Sequence, residues 1–343
     1  MMNDKVSVAL VGAGYWGKKL LPKFVLNRNS LMQVICDIHA GRRAEMNQAY
    51  PDIPTSESIE NILSDPGVAA IVLATPPTTH FALARKVINA GKHVWIEKPL
   101  ALDTQEGRDL IDLSQSNKTV LFVDHTFLYD PAIREIHDLI QSGELGSIHH
   151  IYSQRLNLGR IKRDSNVWWN SAPHDISIIL YLLDSAPQMI ALHGYRYLQP
   201  DLEDLNMAVL ELSGGVSAFI YHNWLFPENT ARLTIIGSKK MLVYEGKFEK
   251  RAITIYEYAV GPARGERSGT KDLPTTIPSR IVAEQTLPGL TDQEPLALAV
   301  SDFVAAIQHG RAPVSNGNFS LRVLEILAAG EKSLRSGGAK VRI

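Results

Sequence analysis

A single cysteine, Cys36, is all the chain has, which excludes an internal disulfide framework and any cysteine-cluster metal site. Cys36 is expected to act as a small buried apolar residue. Charge of one sign is equally lacking. Lys+Arg 35 against Asp+Glu 36 gives a formal net charge of -1, so no global field draws the chain to nucleic acid or an anionic membrane. No apolar run reaches the roughly 20 residues of a membrane span. The residues ahead of Lys5 form no basic start, no apolar leader and no cleavage site, so a cytoplasmic protein is expected. The acceptor triplets at Asn117 and Asn318 carry no weight without a secretory signal. No grouping of Asp, Glu and His has metal-ligand spacing, and adjacent His149 and His150 on a predicted strand point to opposite faces, so no metal is expected. No G-x-S-x-G elbow follows a parallel strand, which dismisses a serine hydrolase of that type.

A chain of 343 residues with 45% hydrophobic residues can bury a large core and should form about two domains. Residues 1–124 alternate short apolar runs with longer amphipathic stretches, which predicts βαβ units on a doubly wound parallel sheet. Strands are expected at Lys5 to Val11, Met32 to Asp37, Ala69 to Ala74, His93 to Ile96 and Val120 to Val123. A helix is expected over Phe81 to Ala90, stopped by Gly91. Pro22 conflicts with the first predicted helix, because it removes a hydrogen bond there.

Residues 125–343 change character. Strand patterns at Ile148 to Leu158, Met207 to Leu212, Val216 to Trp224, Leu233 to Ile236 and Ile253 to Tyr258 predict an α+β domain on a mainly antiparallel sheet. Ser213-Gly-Gly215 between two β-rich runs is a hairpin signal. Residues 261–278 read as a surface loop. Two helices close the chain, Leu296 to Gln308 and Ser320 to Ser336, and the pattern leaves open which domain each joins.

Gly12-Ala13-Gly14-Tyr15-Trp16-Gly17 sets G-x-G-x-x-G directly after an apolar strand and before a helix, the context that dinucleotide binding requires. Gly12 permits the turn, Gly14 lets a pyrophosphate approach the backbone, and Gly17 allows close helix packing. Asp37 ends the next strand, where a carboxylate would take hydrogen bonds from an adenosine ribose. That carboxylate favours NAD over NADP. Arg42 and Arg43 lie close enough in sequence to leave NADP open.

With this fingerprint, Ala74-Thr-Pro-Pro-Thr-Thr-His80, Glu97-Lys-Pro-Leu100 and His174, the chain resembles the Gfo/Idh/MocA oxidoreductases, named for glucose-fructose oxidoreductase, inositol dehydrogenase and a rhizopine-catabolism protein. The resemblance implies a Rossmann domain, then an α+β domain with an open sheet, substrate at their junction, and a homodimer or homotetramer built through the sheet face. It assigns Tyr15, Trp16, Thr75, Pro76, His80 and Glu97, beside the three glycines and Asp37, to the cofactor. Lys98 and His174 become the catalytic pair.

Read chemically, Lys98 at a strand's carboxyl end would hydrogen-bond the reacting oxygen and favour its alkoxide character. Histidine, with an ordinary pKa of about 6.5, exchanges a proton at neutral pH, which suits His174. Many members of the family carry Asp four residues before that histidine. Here Asn170 stands there, and an amide positions a hydroxyl without exchanging protons. Asp175 reads either as the group orienting the imidazole or as a helix-start carboxylate.

Arg155, Arg160, Lys162 and Arg163 lead into Trp168 and Trp169, a set suited to an anionic sugar, with guanidinium on phosphate or carboxylate and indole on a ring. A solvated basic loop with two buried tryptophans is the other reading. This stretch resembles the nucleotide-sugar branch of the family, in which C3 of a hexose, N-acetylhexosamine or hexuronate is oxidised or a ketone there reduced. Tyr129 and His125 read either as cleft residues or as structural ones. Alternatives remain a free-sugar or inositol dehydrogenase and, from another class, a non-catalytic NAD(P)-binding regulator of sugar metabolism.

Overall fold

The computed structural model describes residues 5–158, 161–163, 165–247, 250–258, 281–286 and 293–343. By contacts the chain divides into two units, Met1–Asp130 with Gln293–Ala328, and Pro131–Asp292 with Ala329–Ile343. Residues 293–328 group by contacts with the amino-terminal unit, a placement the sequence pattern left open for the closing helices.

In the first unit the elements run β1 (Val6–Val11), α1 (Gly17–Leu26), β2 (Ser30–Cys36), α2 (Ala40–Ala49), β3 (Thr55–Ser56), α3 (Ile59–Leu63), β4 (Ala70–Leu73), α4 (His80–Asn89), β5 (His93–Ile96), α5 (Thr104–Ser116) and β6 (Leu121–Val123). All six strands pair in parallel in the order β3-β2-β1-β4-β5-β6. Strand order reverses between β1 and β4, so a crevice opens there at the carboxyl ends of the strands. The near-continuous apolar runs follow from cover on both faces, and β4 is buried at every position. Helix α1 continues through Pro22, against the sequence-based conflict.

The second unit begins with α6 (Pro131–Gln141), β7 (Ile148–Leu158), α7 (Val167–Leu183), β8 (Pro187–Tyr195), β9 (Leu205–Leu212), β10 (Ser217–Asn223), β11 (Leu225–Gly237), β12 (Lys240–Lys247), β13 (Lys250–Tyr258) and β14 (Ile281–Thr286). Helices α8 (Pro295–His309) and α9 (Gly317–Arg335) and strand β15 (Val341–Arg342) close the chain. Nine strands form the order β14-β13-β12-β11-β7-β10-β9-β8-β15. Among the described residues only β7 and β10 pair in parallel, and the other pairings of this sheet are antiparallel. The β9–β10 hairpin turns at Gly214 and Gly215, whose φ values of 72° and 78° suit glycine. Alternation is clean on β10, where Ala218, Ile220 and His222 are buried and Ser217, Phe219 and Tyr221 are half-exposed. The surface loop expected over 261–278 lies outside the described residues.

Helix α8 lies in the first unit. Its Phe303 is fully buried and meets Phe24, Trp95 and Phe122 edge-on at 6.3, 5.6 and 5.6 Å, while Trp95 and Phe122 stack at 4.1 Å. A helix that follows the whole of the second unit's sheet in sequence therefore completes the core beneath the parallel sheet. Helix α9 starts in the first unit and ends in the second. No helix among the described residues is long and apolar enough to cross a membrane.

Candidate active site

The fingerprint turn sits at the end of β1. Gly12 has φ of 98°, and a Cβ there would lie 2.5 Å from the Ala74 carbonyl oxygen at the end of β4. A Cβ on Gly17 would collide with the Gly12 carbonyl oxygen at 1.9 Å. These two glycines serve the protein's own packing. Gly14 is different: its nearest neighbour would be Arg42 Nη1 at 3.8 Å, so nothing inside the fold demands glycine there. Open space over a backbone at the head of α1 fits the approach of a pyrophosphate, whose charge the free N–H groups and dipole would meet.

Asp37, just past β2, is 4% exposed and already engaged. Its Oδ2 accepts from Ala13 N at 2.8 Å and Arg42 Nη1 at 3.3 Å, and its Oδ1 from His39 N at 2.8 Å. Burial raises the carboxyl pKa, but those two N–H groups and the guanidinium outweigh it and hold it below the usual range. Asp37 is thus anionic, and Oδ1 keeps acceptor capacity for a ribose hydroxyl. Arg43 donates instead to the Asp37 and Ile38 carbonyl oxygens and pairs with Glu57, leaving Arg42 as the cation at the carboxylate. Tyr15 and Trp16 are exposed beside the turn, edge to face at 5.6 Å, with Lys19 Nζ over both rings. The residues present fit NAD.

The strand ends β4 and β5 carry the next group. Thr75 is half-buried and Pro76 exposed. His80 is fully buried, with Nδ1 2.7 Å from the Pro99 carbonyl oxygen and Nε2 3.0 Å from that of Thr75. Burial holds its pKa down, with the Lys98 charge adding to the depression, so the neutral ring donates its one N–H to only one of the two carbonyl oxygens at a time. It therefore sits between two loops. The Lys98–Pro99 bond is cis. Lys98 is half-buried between the buried Glu97 and Pro99. Glu97 is 8% exposed, and burial with the neighbouring Asp124 charge raises its carboxyl well above the usual range.

Two residues assigned to substrate from the sequence are buried instead. Tyr129 is 0% exposed, and its hydroxyl donates to Asp302 Oδ2 at 2.7 Å and accepts from Ser315 N at 3.2 Å. It closes the core over β6 rather than presenting a face to a ligand. Trp168, at the start of α7, is also 0% exposed, lies 6.3 Å from His222 and packs so tightly on Gly330 that a Cβ there would be 2.5 Å from the ring. Its indole has no face left for a sugar. Trp169 is half-buried, with Nε1 donating to Glu331 at 3.1 Å, and Asn170 is half-buried one residue on.

His174 lies inside α7, not ahead of it. The helix continues through Pro173, although an interior proline loses a hydrogen bond. Asp175 points elsewhere. Its carboxylate accepts from Ser153 Oγ at 2.7 Å, Arg155 Nε and Nη2 at 3.1 and 3.2 Å, and His222 Nε2 at 2.9 Å. Burial raises its pKa, but Arg155 and His222 together drive it well below the carboxylate range. Arg155, expected to grip substrate, is thus bound to a buried carboxylate and anchors α7 on β7. Lys162 and Arg163 are exposed, and Arg160 lies outside the described residues.

The sequence reading passed over Asp124. The signal available was its place immediately after the last parallel strand, at the same sheet edge as Glu97-Lys98.

A family of NAD-binding Rossmann oxidoreductases, GFO/IDH/MocA, matches residues 6–125, and the C-terminal domain of the same family matches residues 133–243. The chain is 28% identical over 191 residues to the uncharacterized oxidoreductase YdgJ of Escherichia coli, spanning about half of that relative's length, 55%, with 52% of its own. It is 26% identical to the UDP-N-acetylglucosamine 3-dehydrogenase of Acidithiobacillus ferrooxidans over 92% of this chain and 93% of that one. A solved structure of that dehydrogenase superposes with a TM-score of 0.83 at 24% identity, covering 97% of this chain and 98% of that chain. The scyllo-inositol 2-dehydrogenase (NAD(+)) of Bacillus subtilis is 22% identical over 98% of this chain and 96% of its own. The two family matches follow one another in chain order, one in each unit, and the turn, acid and strand-end lysine fall inside the first: the chain belongs to the GFO/IDH/MocA family of oxidoreductases.

Proposed function

We propose that the chain transfers hydride between NAD and a sugar hydroxyl or ketone, with a nucleotide-linked hexose, N-acetylhexosamine or hexuronate as substrate and C3 as the reacting carbon. The observation that carries the reaction class is Lys98 at the carboxyl end of β5, in the sheet whose β1 end forms the Gly12–Gly17 turn. Ligands of open α/β sheets collect at those strand ends. The substrate class rests on the relative matched over nine-tenths of both chains, whose name is a UDP-N-acetylglucosamine 3-dehydrogenase.

Gly14 leaves room for the cofactor phosphates, Asp37 takes the adenosine ribose and disfavours a 2′-phosphate, and Tyr15 and Trp16 flank the turn. Bound NAD would supply the hydride acceptor or donor. Lys98 hydrogen-bonds the reacting oxygen and stabilises negative charge there, and His174 takes the hydroxyl proton or returns it. Asn170 positions a hydroxyl. Exposed Lys162 and Arg163 offer cations to a substrate diphosphate or carboxylate.

Turnover measured by nicotinamide absorbance with UDP-N-acetylglucosamine, UDP-hexoses and UDP-uronates against the free sugars and inositols tests the substrate class. At least a tenfold higher kcat/KM for a nucleotide-linked sugar is expected; preference for a free sugar or cyclitol would reject it. A homodimer or homotetramer belongs to the same reading, and a monomer mass in sedimentation at micromolar concentration would overturn that part.

A further inference from the structure

Strands β7, β10 and β9 carry one polar row on the face of the second unit's sheet that α7 covers. Arg155 on β7 stands opposite His222 on β10 in the parallel register, and His222 opposite Asn206 on β9 in the antiparallel one. His222 and Asn206 are fully buried, and His222 Nδ1 lies 3.1 Å from the Asn206 side-chain oxygen. The row ends on Asp175 of α7, which is 2% exposed. Its Oδ1 accepts from Ser153 Oγ at 2.7 Å and Arg155 Nη2 at 3.2 Å, and its Oδ2 from Arg155 Nε at 3.1 Å and His222 Nε2 at 2.9 Å. These bonds fill the lone pairs of a carboxylate, so Asp175 has none left for the imidazole beside it in sequence. Helix α7 is weak at the same place. Pro173 has no N–H to give the Trp169 carbonyl oxygen, so the turn that carries Asn170 and His174 lacks a rung of its own ladder.

We propose that Asp175 is a positioning residue for His174: held on β7 and β10 by Ser153, Arg155 and His222, it sets the rotation of α7 about its axis and so the direction in which the His174 imidazole leaves the helix. Successive residues of an α-helix point about 100° apart, so a helix fixed in rotation at residue 175 is fixed at residue 174. Two neighbouring strands grip the carboxylate, which therefore cannot slide along either of them. Arg155 presents Nε and Nη2 side by side, and that fork fixes the plane of the carboxylate as well as its distance. Its guanidinium also balances the Asp175 charge, which lets the carboxylate be buried this deeply. On the far side of His174 from Pro173, the Ser177 hydroxyl donates to the His174 carbonyl oxygen at 2.8 Å and ties the same turn to the next.

The functional weight of this inference rests on the reading that His174 takes the hydroxyl proton; the positioning is measurable without turnover. With histidine labelled at 13Cε1, the His174 signal, assigned by its loss in His174→Gln, is recorded in the wild type, Asp175→Asn, His222→Leu and His222→Gln. Asp175→Asn sets an amide N–H against the donors that the carboxylate satisfied. His222→Leu removes β10 from the clamp but keeps the Arg155 pair, so it serves even if Asp175→Asn fails to fold. In both variants the ring should sample more than one direction, and its signal should broaden or double. His222→Gln places an amide N–H where Nε2 donated and should keep the single wild-type signal. A His174 signal of wild-type shift and width in His222→Leu, or equal disturbance in His222→Leu and His222→Gln, would overturn the proposal. With a sugar that the wild type turns over, kcat should fall about tenfold or more in His222→Leu, the KM for NAD should stay within about twofold, and His222→Gln should recover most of the loss. Turnover that survives His174→Gln would instead sink the proton-transfer role of His174 while leaving the spectroscopic result intact.

Discussion

His80 Nδ1 lies 2.7 Å from the carbonyl oxygen of Pro99, so the first residue of α4 holds the backbone next to Lys98. Its other ring nitrogen faces Thr75 in the loop after β4. Truncation by His80→Ala removes the one hydrogen bond the neutral ring donates and opens a cavity, at a cost of about 2–3 kcal/mol. Urea unfolding should show that loss, and kcat should fall more than tenfold while cofactor affinity changes little.

The fingerprint glycines separate by cause. Gly12→Ala puts a Cβ 2.5 Å from the Ala74 carbonyl at a φ of 98° and should destabilise the fold by about 2 kcal/mol or more. Gly14→Ala meets only the Arg42 guanidinium at 3.8 Å and should keep the wild-type midpoint in urea. What Gly14→Ala should lose is NAD affinity, at least tenfold by fluorescence titration. Equal effects of the two substitutions on stability would contradict the assignment of Gly14 to the cofactor.

Burial depresses the His125 imidazole to about 3, with the Lys98 charge adding to it, and both ring nitrogens are without partners among the described residues. The unfolded chain titrates near 6.5, so it binds protons that the folded chain refuses. Stability from this group is full above about pH 6.5 and lost as pH falls toward about 3. His125→Leu should flatten that acid limb, by on the order of a few kcal/mol at pH 4, and leave stability at pH 7 unchanged or higher. Thermal melts across pH 4–7 decide it.

Much of both sheets was legible. Strand β5 runs from His93 to Ile96, the span its apolar pattern predicts, and β7 matches Ile148 to Leu158 at both ends. Pattern reading failed where the cause was not local. Strand β3 is two residues, Thr55 and Ser56, too short for any period, and β8 starts on Pro187, a residue that argues against a strand. Trp168 and Tyr129 look like ligand-facing aromatics in sequence, yet Gly330 and Asp302, far along the chain, close over them. The Glu97–Asp124 pair depends on the register of β5 against β6, which composition does not encode. Arg155 read as a substrate cation because its partner, Asp175, lies 20 residues away on another element.

Helix α8 supplies a stability test of the returning chain. Phe303→Ala removes a ring packed against Phe24, Trp95 and Phe122 and should cost about 3–5 kcal/mol. Hydrogen exchange should show the loss in β1, β5 and β6 of the parallel sheet. Protection there equal to that of the wild type would contradict the placement of α8 in the first unit.

The most direct test of the account is the absorbance of the nicotinamide ring when wild type and Lys98→Met are incubated with NAD and a panel of UDP-hexoses, UDP-N-acetylhexosamines and UDP-uronates, in both directions. The account predicts turnover by the wild type and a fall of about 10²–10⁴ in kcat for Lys98→Met, with NAD affinity kept. Turnover of equal rate in the variant, or NAD binding by the wild type with no turnover of any sugar, would contradict it.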